Sequence, residues 1–152
     1  MEQKPESGKI LVSNRKARHD YTVLEAMEAG IALQGTEVKS LRQGLGNLQD
    51  SYALIRNGEV WLVGAHISPY EQGSYANHNP TRDRRLLLHA KEIRKLIGKT
   101  KEKGLTLVPL KLYVKGRNIK VELALVRGKQ LHDKREAIKE RDVKRAIMRG
   151  EE

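Results

Sequence analysis

The chain has 152 residues, and its 30 Lys/Arg against 19 Asp/Glu give a formal net charge of +11 and a sequence pI of about 9.9. This length is enough for one domain with a core and tails, and the charge favours nucleic acid, with an anionic membrane second, as the partner. The absence of cysteine excludes disulfides, thiolate zinc sites and a cysteine nucleophile, and the sequence contains neither a long apolar run nor an apolar signal core. We therefore expect a cytoplasmic protein that does not insert into a membrane.

The N-terminal part of the chain is polar and basic. Residues 1–8 are polar and contain Pro5 and Gly8, so we expect them to be disordered. A short apolar anchor at 10–12 is followed by a basic stretch at 13–21, which predicts a loop that ends in a strand.

Two elements are predicted in the next part of the sequence. Three apolar side chains in residues 23–29 have the spacing of a short helix and should point inward, and Gly30 follows where helices commonly end. Apolar residues from 31 to 41 then predict a long strand with a bulge at Gly35.

Two hairpins are the clearest elements of the sequence. In residues 51–67, the Asn-Gly pair at 57–58 separates two apolar runs and favours a type I′ turn. In residues 110–125, apolar and polar side chains alternate on both sides of the Gly-Arg pair at 116–117. Each hairpin should therefore place one face of its strands in the core.

A long loop and a helix lie between the two hairpins. Residues 68–85 are rich in Pro, Gly, Asn and Tyr, and a loop of that length in a compact domain is usually functional or disordered. Residues 86–97 have the apolar spacing of a helix, which Gly98 is expected to end.

The predicted fold is mainly β. About six strands are expected and no βαβ repeat is visible, so the sheet should be antiparallel. Such strands most simply close into a six-stranded barrel of the OB type with two to three flanking helices, and a small split sandwich is the alternative. We expect this barrel to span residues 9–128 and the protein to be a monomer.

The C-terminal tail, residues 129–152, is basic and helix-forming. Residues 127–149 hold nine Lys/Arg against four Asp/Glu, no proline and only five large apolar side chains. That apolar stripe is too thin to pack against a core, so we expect the tail to be disordered in the free protein and helical on a polyanion. A solvated C-terminal helix is the alternative.

No motif for catalysis or metal binding is found. The Gly-Lys-Thr at 98–100 lacks the first glycine of a phosphate-binding loop, and the Gly-Leu-Gly at 44–46 lacks the third glycine of a dinucleotide fingerprint. The five His are scattered without metal-ligand spacing. Glu25 and Glu28 lie three positions apart on the predicted helix at 23–29, where they would form its solvated face. The alternative is that Glu28 accepts hydrogen bonds from base amino groups or braces neighbouring arginines. We predict a binding protein with no enzyme activity, metal or cofactor.

Five segments of the chain resemble those of a known family. They are NRKARHDY (14–21), EAGIALQGTEVKSLR (28–42), NHNPTRDRRLLLH (77–89), KGLTLVPLKLY (103–113) and RGKQLHDKREAIKERD (127–142). In this order and spacing they resemble the SsrA-binding protein family, also called small protein B, over nearly the whole chain. The resemblance implies an OB-type barrel and a role in trans-translation, which rescues bacterial ribosomes stalled on messages without a stop codon.

The resemblance also implies partners. The family binds the tRNA-like domain of transfer-messenger RNA (tmRNA), which is delivered to the ribosome as alanyl-tmRNA with elongation factor Tu. On the ribosome the protein would occupy the decoding centre of the small subunit, and its C-terminal tail would enter the empty mRNA channel.

Positions that match the family, together with the basic side chains beside them, give the expected contacts. The expected RNA-binding residues are Asn14, Arg15, Lys16, Arg18, His19, Glu28, Arg82, Arg84, Arg85, Leu87, His89 and Lys120. The expected ribosome-binding tail residues are His132, Asp133, Lys134, Arg135, Lys139, Arg141, Lys144 and Arg145. We expect the Asn14 amide to read a base edge, Leu87 to pack on an unstacked base, and the cations to bind phosphate.

Two other classes of protein stay open on the sequence alone. A structural ribosomal protein has the same size and charge, but it would co-purify with every ribosome, whereas an adaptor would co-purify with few. A catalytic OB protein such as a nuclease would cleave RNA, although no acidic metal-binding cluster is visible in the sequence.

Overall fold

The structure is a computed structural model that describes residues 8–71, 77–102 and 104–128. The predictions of a disordered N-terminal segment and of a basic tail that becomes helical fall on 1–7 and 129–152, outside the described residues. Among the residues that are described, no helix is long and apolar enough to span a membrane.

The described chain contains nine strands and three helices. The strands are β1 (Ile10–Ser13), β2 (Tyr21–Ile31), β3 (Gly46–Asn47), β4 (Tyr52–Arg56), β5 (Glu59–Val63), β6 (His66–Ile67), β7 (Arg84–Leu87), β8 (Leu105–Lys115) and β9 (Asn118–Gly128). The helices are α1 (Arg15–Asp20), α2 (Gly35–Arg42) and α3 (Ala90–Thr100).

Six strands close into an antiparallel barrel. Their order is β8-β4-β5-β7-β2-β9, and β9 pairs again with β8 to complete the ring. The β4–β8 closure pairs Ala53 with Leu107. β1 pairs with residues 111–113 of β8, beyond the point where β4 pairs with that strand. β3 pairs with β6 in a separate two-stranded sheet. The predicted six-stranded antiparallel barrel is therefore confirmed.

Two apolar clusters hold the barrel together. The interior is filled by side chains from all six barrel strands and by side chains of β1, α2 and α3, among them Leu41, Leu62 and Leu96. A smaller cluster lies outside the barrel, where Ala17 of α1 packs against Val108 and other residues of β8 and β9. The β8–β9 hairpin is thus buried on both faces where α1 covers it.

Both predicted hairpins are confirmed. β4 and β5 pair from Arg56 and Glu59, next to the turn, to Tyr52 and Val63 at the far end. The turn residues Asn57 and Gly58 have φ of 54° and 76°. Positive φ at both central positions is what a type I′ turn requires. β8 and β9 pair from Leu105 and Arg127 to Lys115 and Asn118, with a register shift between Pro109 and Lys111, and the turn between them contains Gly116, whose φ is 62°.

The helix predicted over residues 23–29 is wrong, because this segment is part of β2. The strand pairs with β9 from Tyr21 to Gly30, with a register shift between Val23 and Glu25. Val23 and Leu24 do not point into the core, since they are 40% and 47% exposed. Pairing along a whole neighbouring strand outweighs the local helical propensity of these residues.

The strand predicted over 31–41 is also wrong, because residues 35–42 form α2. The Glu37 carboxylate accepts a hydrogen bond from the Gln34 backbone N–H at 2.7 Å, which satisfies one of the free donors at the helix start. Gly35 is the first residue of the helix and not a strand bulge.

The predicted helix at 86–97 begins and ends later than expected. Leu86 and Leu87 belong to β7, and α3 starts at Ala90, after His89. The His89 backbone N–H donates to Glu92 at 3.1 Å, which caps the first turn. Gly98 does not end the helix, which continues to Thr100. Likewise, the loop predicted over residues 13–21 contains the short helix α1.

Candidate RNA-binding surface

One row of side chains crosses the outside of the barrel from β7 to β8. Leu87 pairs with Gly30, Gly30 pairs with Lys120, and Lys120 pairs with Tyr113. Residues opposite one another in an antiparallel sheet project from the same face. Leu87 is 48% exposed, and it is brought to one surface with Lys120 although 33 positions separate them. We call this row, together with Glu28, the β2 face.

Gly30 in the middle of the row lies directly against the Leu87 side chain. A Cβ at this position would lie 3.2 Å from the Leu87 Cβ, which is closer than ordinary van der Waals contact. The Leu87 Cγ and Cδ1 atoms would also lie within 3.6 Å of that Cβ, so the space beside Gly30 is taken by the Leu87 side chain. The glycine thus allows Leu87 to pack close against the backbone of β2.

Glu28 lies beside this row and holds two groups of β8. Its carboxylate accepts a hydrogen bond from the Tyr113 hydroxyl at 2.6 Å and another from Lys115 Nζ at 3.0 Å. These contacts, first that of Tyr113 and then that of Lys115, lower the pKa of Glu28. Burial and the neighbouring Glu28 carboxylate raise the pKa of Tyr113. At neutral pH the pair is therefore an ionised carboxylate and a protonated phenol.

Asn14 is buried and does not present its amide to a ligand. Its Nδ2 donates to the backbone oxygens of Leu48 and Pro109 at 3.2 and 2.8 Å, and its Oδ1 accepts from the Ala17 N–H at 3.2 Å. The expectation that this amide reads a base edge is therefore wrong. The Asn14 side chain caps the N-terminus of α1 and holds that helix against the barrel.

The basic side chains of α1 are exposed, as expected, and some are paired. Lys16 Nζ lies 2.7 Å from Asp50, and Arg18 Nη2 lies 3.2 Å from Glu122. Glu122 is opposite Glu28 in the β2–β9 ladder, so Arg18 extends the β2 face toward α1. Exposed ion pairs of this kind are weak and can exchange for phosphate contacts.

His19 and Arg15 also lie on the exposed side of α1. The Nδ1 atom of His19 is 3.2 Å from the Asp20 carboxylate. Farther along the chain, His89 is exposed at the start of α3, two residues after Leu87, and it borders the β2 face.

Arg84 is fully buried and cannot serve as the expected RNA contact. Its Nε is 2.7 Å from the Glu37 carboxylate, and both side chains are 0% exposed. Its other nitrogens donate to backbone oxygens, including those of Ala65 at 3.0 Å and Pro80 at 3.0 Å. Arg82 donates to the same carboxylate at 2.7 and 2.9 Å. These residues form an Arg82–Glu37–Arg84 cluster that joins α2 to β7.

One carboxylate in this cluster is shared by two arginines. Burial alone would raise the pKa of Glu37, but hydrogen bonds from Arg82, the Gln34 backbone and Arg84 outweigh it, and the pKa is lowered. The carboxylate of Glu37 raises the pKa of Arg84, but burial lowers it by more, so the pKa of Arg84 is lowered overall. Arg85 is the exposed member of the predicted arginine set, and its Nε lies 3.2 Å from Glu59.

The sequence did not identify the two β8 side chains that Glu28 holds. Tyr113 and Lys115 alternate with buried residues of β8, so the pattern predicts that they point outward, but it gives no sign that Glu28 binds both. Among the described residues, no group of three or more His, Asp and Glu is arranged to hold a metal ion. The expected tail contacts from His132 to Arg145 lie outside the described residues.

Comparisons with known proteins agree with one another. The family model described as SmpB protein matches residues 11–151. The SsrA-binding protein of Trichormus variabilis is 59% identical over 99% of this chain and 97% of its own length. The SsrA-binding protein of Carboxydothermus hydrogenoformans is 62% identical over 93% of this chain and 95% of its own length. A solved chain from a study of tmRNA-SmpB and the bacterial ribosome is 58% identical, with a TM-score of 0.66 over 77% of this chain and 82% of its own. The chain therefore belongs to the SmpB family of SsrA-binding proteins.

Proposed function

We propose that this protein is an RNA-binding adaptor of trans-translation. It binds the tRNA-like domain of tmRNA and delivers that RNA to stalled bacterial ribosomes. The observation that carries the proposal is the identity of about 60% to SsrA-binding proteins over nearly the full length of both chains. The similarity to a chain studied with tmRNA and the ribosome supports the same partners.

The β2 face is the proposed contact surface for the tRNA-like domain. It combines an exposed apolar side chain (Leu87), the glycine against which that side chain packs (Gly30) and a cation (Lys120) in one cross-strand row. A row of this kind suits RNA, since the apolar group can pack on an unstacked base while the cation binds phosphate. Arg18 and His89 extend the proposed surface on either side.

The composition favours recognition of a folded RNA by its shape. The chain has one Trp, five Tyr and no Phe, which is too few aromatic side chains for a platform that stacks many successive bases. Phosphate and ribose contacts from a rigid barrel are better suited to a tRNA-like domain, whose backbone geometry is fixed before binding.

The basic tail is proposed to probe the mRNA channel. Residues 127–149 carry a net charge of +5, and the channel wall of ribosomal RNA would neutralise it. The segment from His132 to Arg135 comes first and would lie nearest the decoding centre. An intact message would exclude the tail, so this arrangement would select ribosomes whose channel is empty.

The proposed role is binding, without catalysis, in the cytoplasm where ribosomes translate. A structural ribosomal protein would fit the charge equally well, and stoichiometry separates the two classes. Quantifying the protein in purified ribosomes should give far less than one copy per ribosome for an adaptor. One copy on every ribosome would identify a structural component.

A binding titration with matched variants tests the proposed surface. The tRNA-like domain of tmRNA should bind the wild-type protein, and Lys120→Ala should weaken binding and reduce the salt slope by about one phosphate contact. Lys101→Ala is the control, because Lys101 is exposed at the end of α3, away from the β2 face. Equal effects of the two variants would contradict the surface, and no binding by the wild type would contradict the function.

A further inference from the structure

Three lysines surround Tyr113 on the outside of the β8–β9 hairpin. Lys111 and Lys115 flank Tyr113 at alternate positions of β8, and Lys120 is directly opposite it on β9. The Nζ of Lys111 lies 5.4 Å from the centre of the Tyr113 ring. The side chain of Glu28 reaches across β9 from β2 to contact Tyr113 and Lys115. The cluster therefore has a net positive charge around one aromatic ring.

Both oxygens of the Glu28 carboxylate already have partners within the protein. One accepts from Tyr113 at 2.6 Å, and the other accepts from Lys115 at 3.0 Å. An ionised carboxylate facing RNA is repelled by phosphate unless its charge is balanced. Here Lys115 and the nearby Lys120 balance it, and both lower the pKa of Glu28. The geometry thus fits a brace better than a direct contact to RNA.

We infer that Tyr113 and Lys115 contact the tRNA-like domain and that Glu28 acts as the positioning residue that holds them. The Tyr113 ring packs against a ribose or an unstacked base, and Lys115 binds a neighbouring phosphate. This inference rests on the proposed function and assigns two contacts to the β2 face. It also explains why an acidic side chain lies on a surface that must bind a polyanion.

A double-mutant cycle distinguishes the brace from a direct contact. Glu28→Ala alone should weaken binding of the tRNA-like domain roughly tenfold, because two contact groups lose their fixed positions. In a Tyr113→Ala/Lys115→Ala background, the same change should alter affinity by less than about twofold, or tighten binding because a negative charge is removed. A similar tenfold loss in both backgrounds would overturn the inference and assign Glu28 a direct RNA contact.

A glutamate on the same strand gives the matched control. Glu25 also binds two lysines, Lys95 and Lys99, each at 2.7 Å, but these belong to α3. Glu25→Ala should leave RNA affinity unchanged, and a loss equal to that of Glu28→Ala would overturn the specific role of this cluster.

Tyr113→Phe tests the brace with a smaller perturbation. It keeps the ring but loses the hydrogen bond to Glu28, so it should weaken binding less than Tyr113→Ala and should not be additive with Glu28→Ala. If the triple variant does not fold, this Tyr113→Phe/Glu28→Ala cycle decides the question, and additive losses refute the inference. Wild-type protein that fails to bind the RNA would refute the proposed function itself, whereas binding with additive losses refutes only the brace.

Discussion

Removing the carboxylate of Glu37 should strongly destabilise the fold. The change would leave the fully buried Arg84 guanidinium without its ion-pair partner and Arg82 without its two shortest contacts. Breaking a buried pair by removing one partner costs about 3–5 kcal/mol in the free energy of unfolding. For a chain of this size that corresponds to a fall in Tm of roughly 6–20 °C.

Thermal and urea unfolding at pH 7, followed by circular dichroism, measure this effect. The matched control is Glu59→Ala, which removes a comparable Glu–Arg pair on the barrel surface, where both side chains are 41% or more exposed. Surface pairs contribute about 0–1 kcal/mol, so the control should lower Tm by only a few degrees. Similar small shifts for Glu37→Ala and Glu59→Ala would refute the view that the Arg82–Glu37–Arg84 cluster holds the fold.

The pH dependence of the free energy of unfolding gives an independent check. The pKa of Glu37 is lower in the folded protein, so its contribution is fully present above the unfolded value of about 4.3 and is lost as pH falls through the folded pKa. The stability gap between wild type and Glu37→Gln should therefore narrow below about pH 4. A gap that is constant from pH 7 to pH 3 would show that ionisation of Glu37 is not the source of the stability.

Three further outcomes are expected. Truncation after Gly128 should leave the affinity for the tRNA-like domain within about a few-fold, because the proposed RNA surface lies on the barrel; a hundredfold loss in a titration would contradict this. Replacing Asp133, Lys134 and Arg135 by Ala should preserve RNA binding but abolish peptide tagging on stalled ribosomes, and normal tagging would refute the proposed role of the tail. Gly98→Ala should raise the free energy of unfolding by about 0.5–1 kcal/mol, since Gly98 lies within α3 with open space where its Cβ would be; a lower Tm would contradict this.

The parts of the fold that could be predicted are those specified by neighbouring residues. The hairpin turn at 57–58 and the alternation around Gly116 identify β4–β5 and β8–β9 because the turn residues and the strand pattern are local. The β2 strand could not be recognised in the same way. Its Leu-Glu-Ala-Met-Glu-Ala run is made of helix-forming residues, and only pairing with the distant β9 makes it a strand.

The start of α2 does have a local signal. Glu37 lies three residues after Gln34, the spacing at which a side chain can cap the first turn of a helix, but the apolar residues around it also fit a strand. Capping residues therefore identify this helix better than its apolar spacing does. The same applies to Asn14, which directly precedes the basic helix-forming run of α1.

The residues of the candidate site could be predicted only in part, because the burial of a side chain depends on residues far away in the sequence. Glu28 and Leu87 come from the family resemblance, and Lys120 comes from its alternation with apolar residues of a predicted strand. The strand register places all three on one face. Arg84 could not be removed from the predicted contacts on sequence alone, because its burial depends on a carboxylate 47 positions away. Composition identifies a cationic side chain, but only the fold decides whether it faces solvent or a buried partner.

A reconstituted rescue reaction tests the central claim most directly. Ribosomes stalled on a message without a stop codon would be supplied with alanyl-tmRNA and elongation factor Tu, with or without this protein, and the tagged peptide would be measured. We expect tagging only when the protein is present, and less tagging when a long message fills the channel. Equal tagging without the protein, or RNA binding with no tagging at all, would contradict its role as the adaptor of trans-translation.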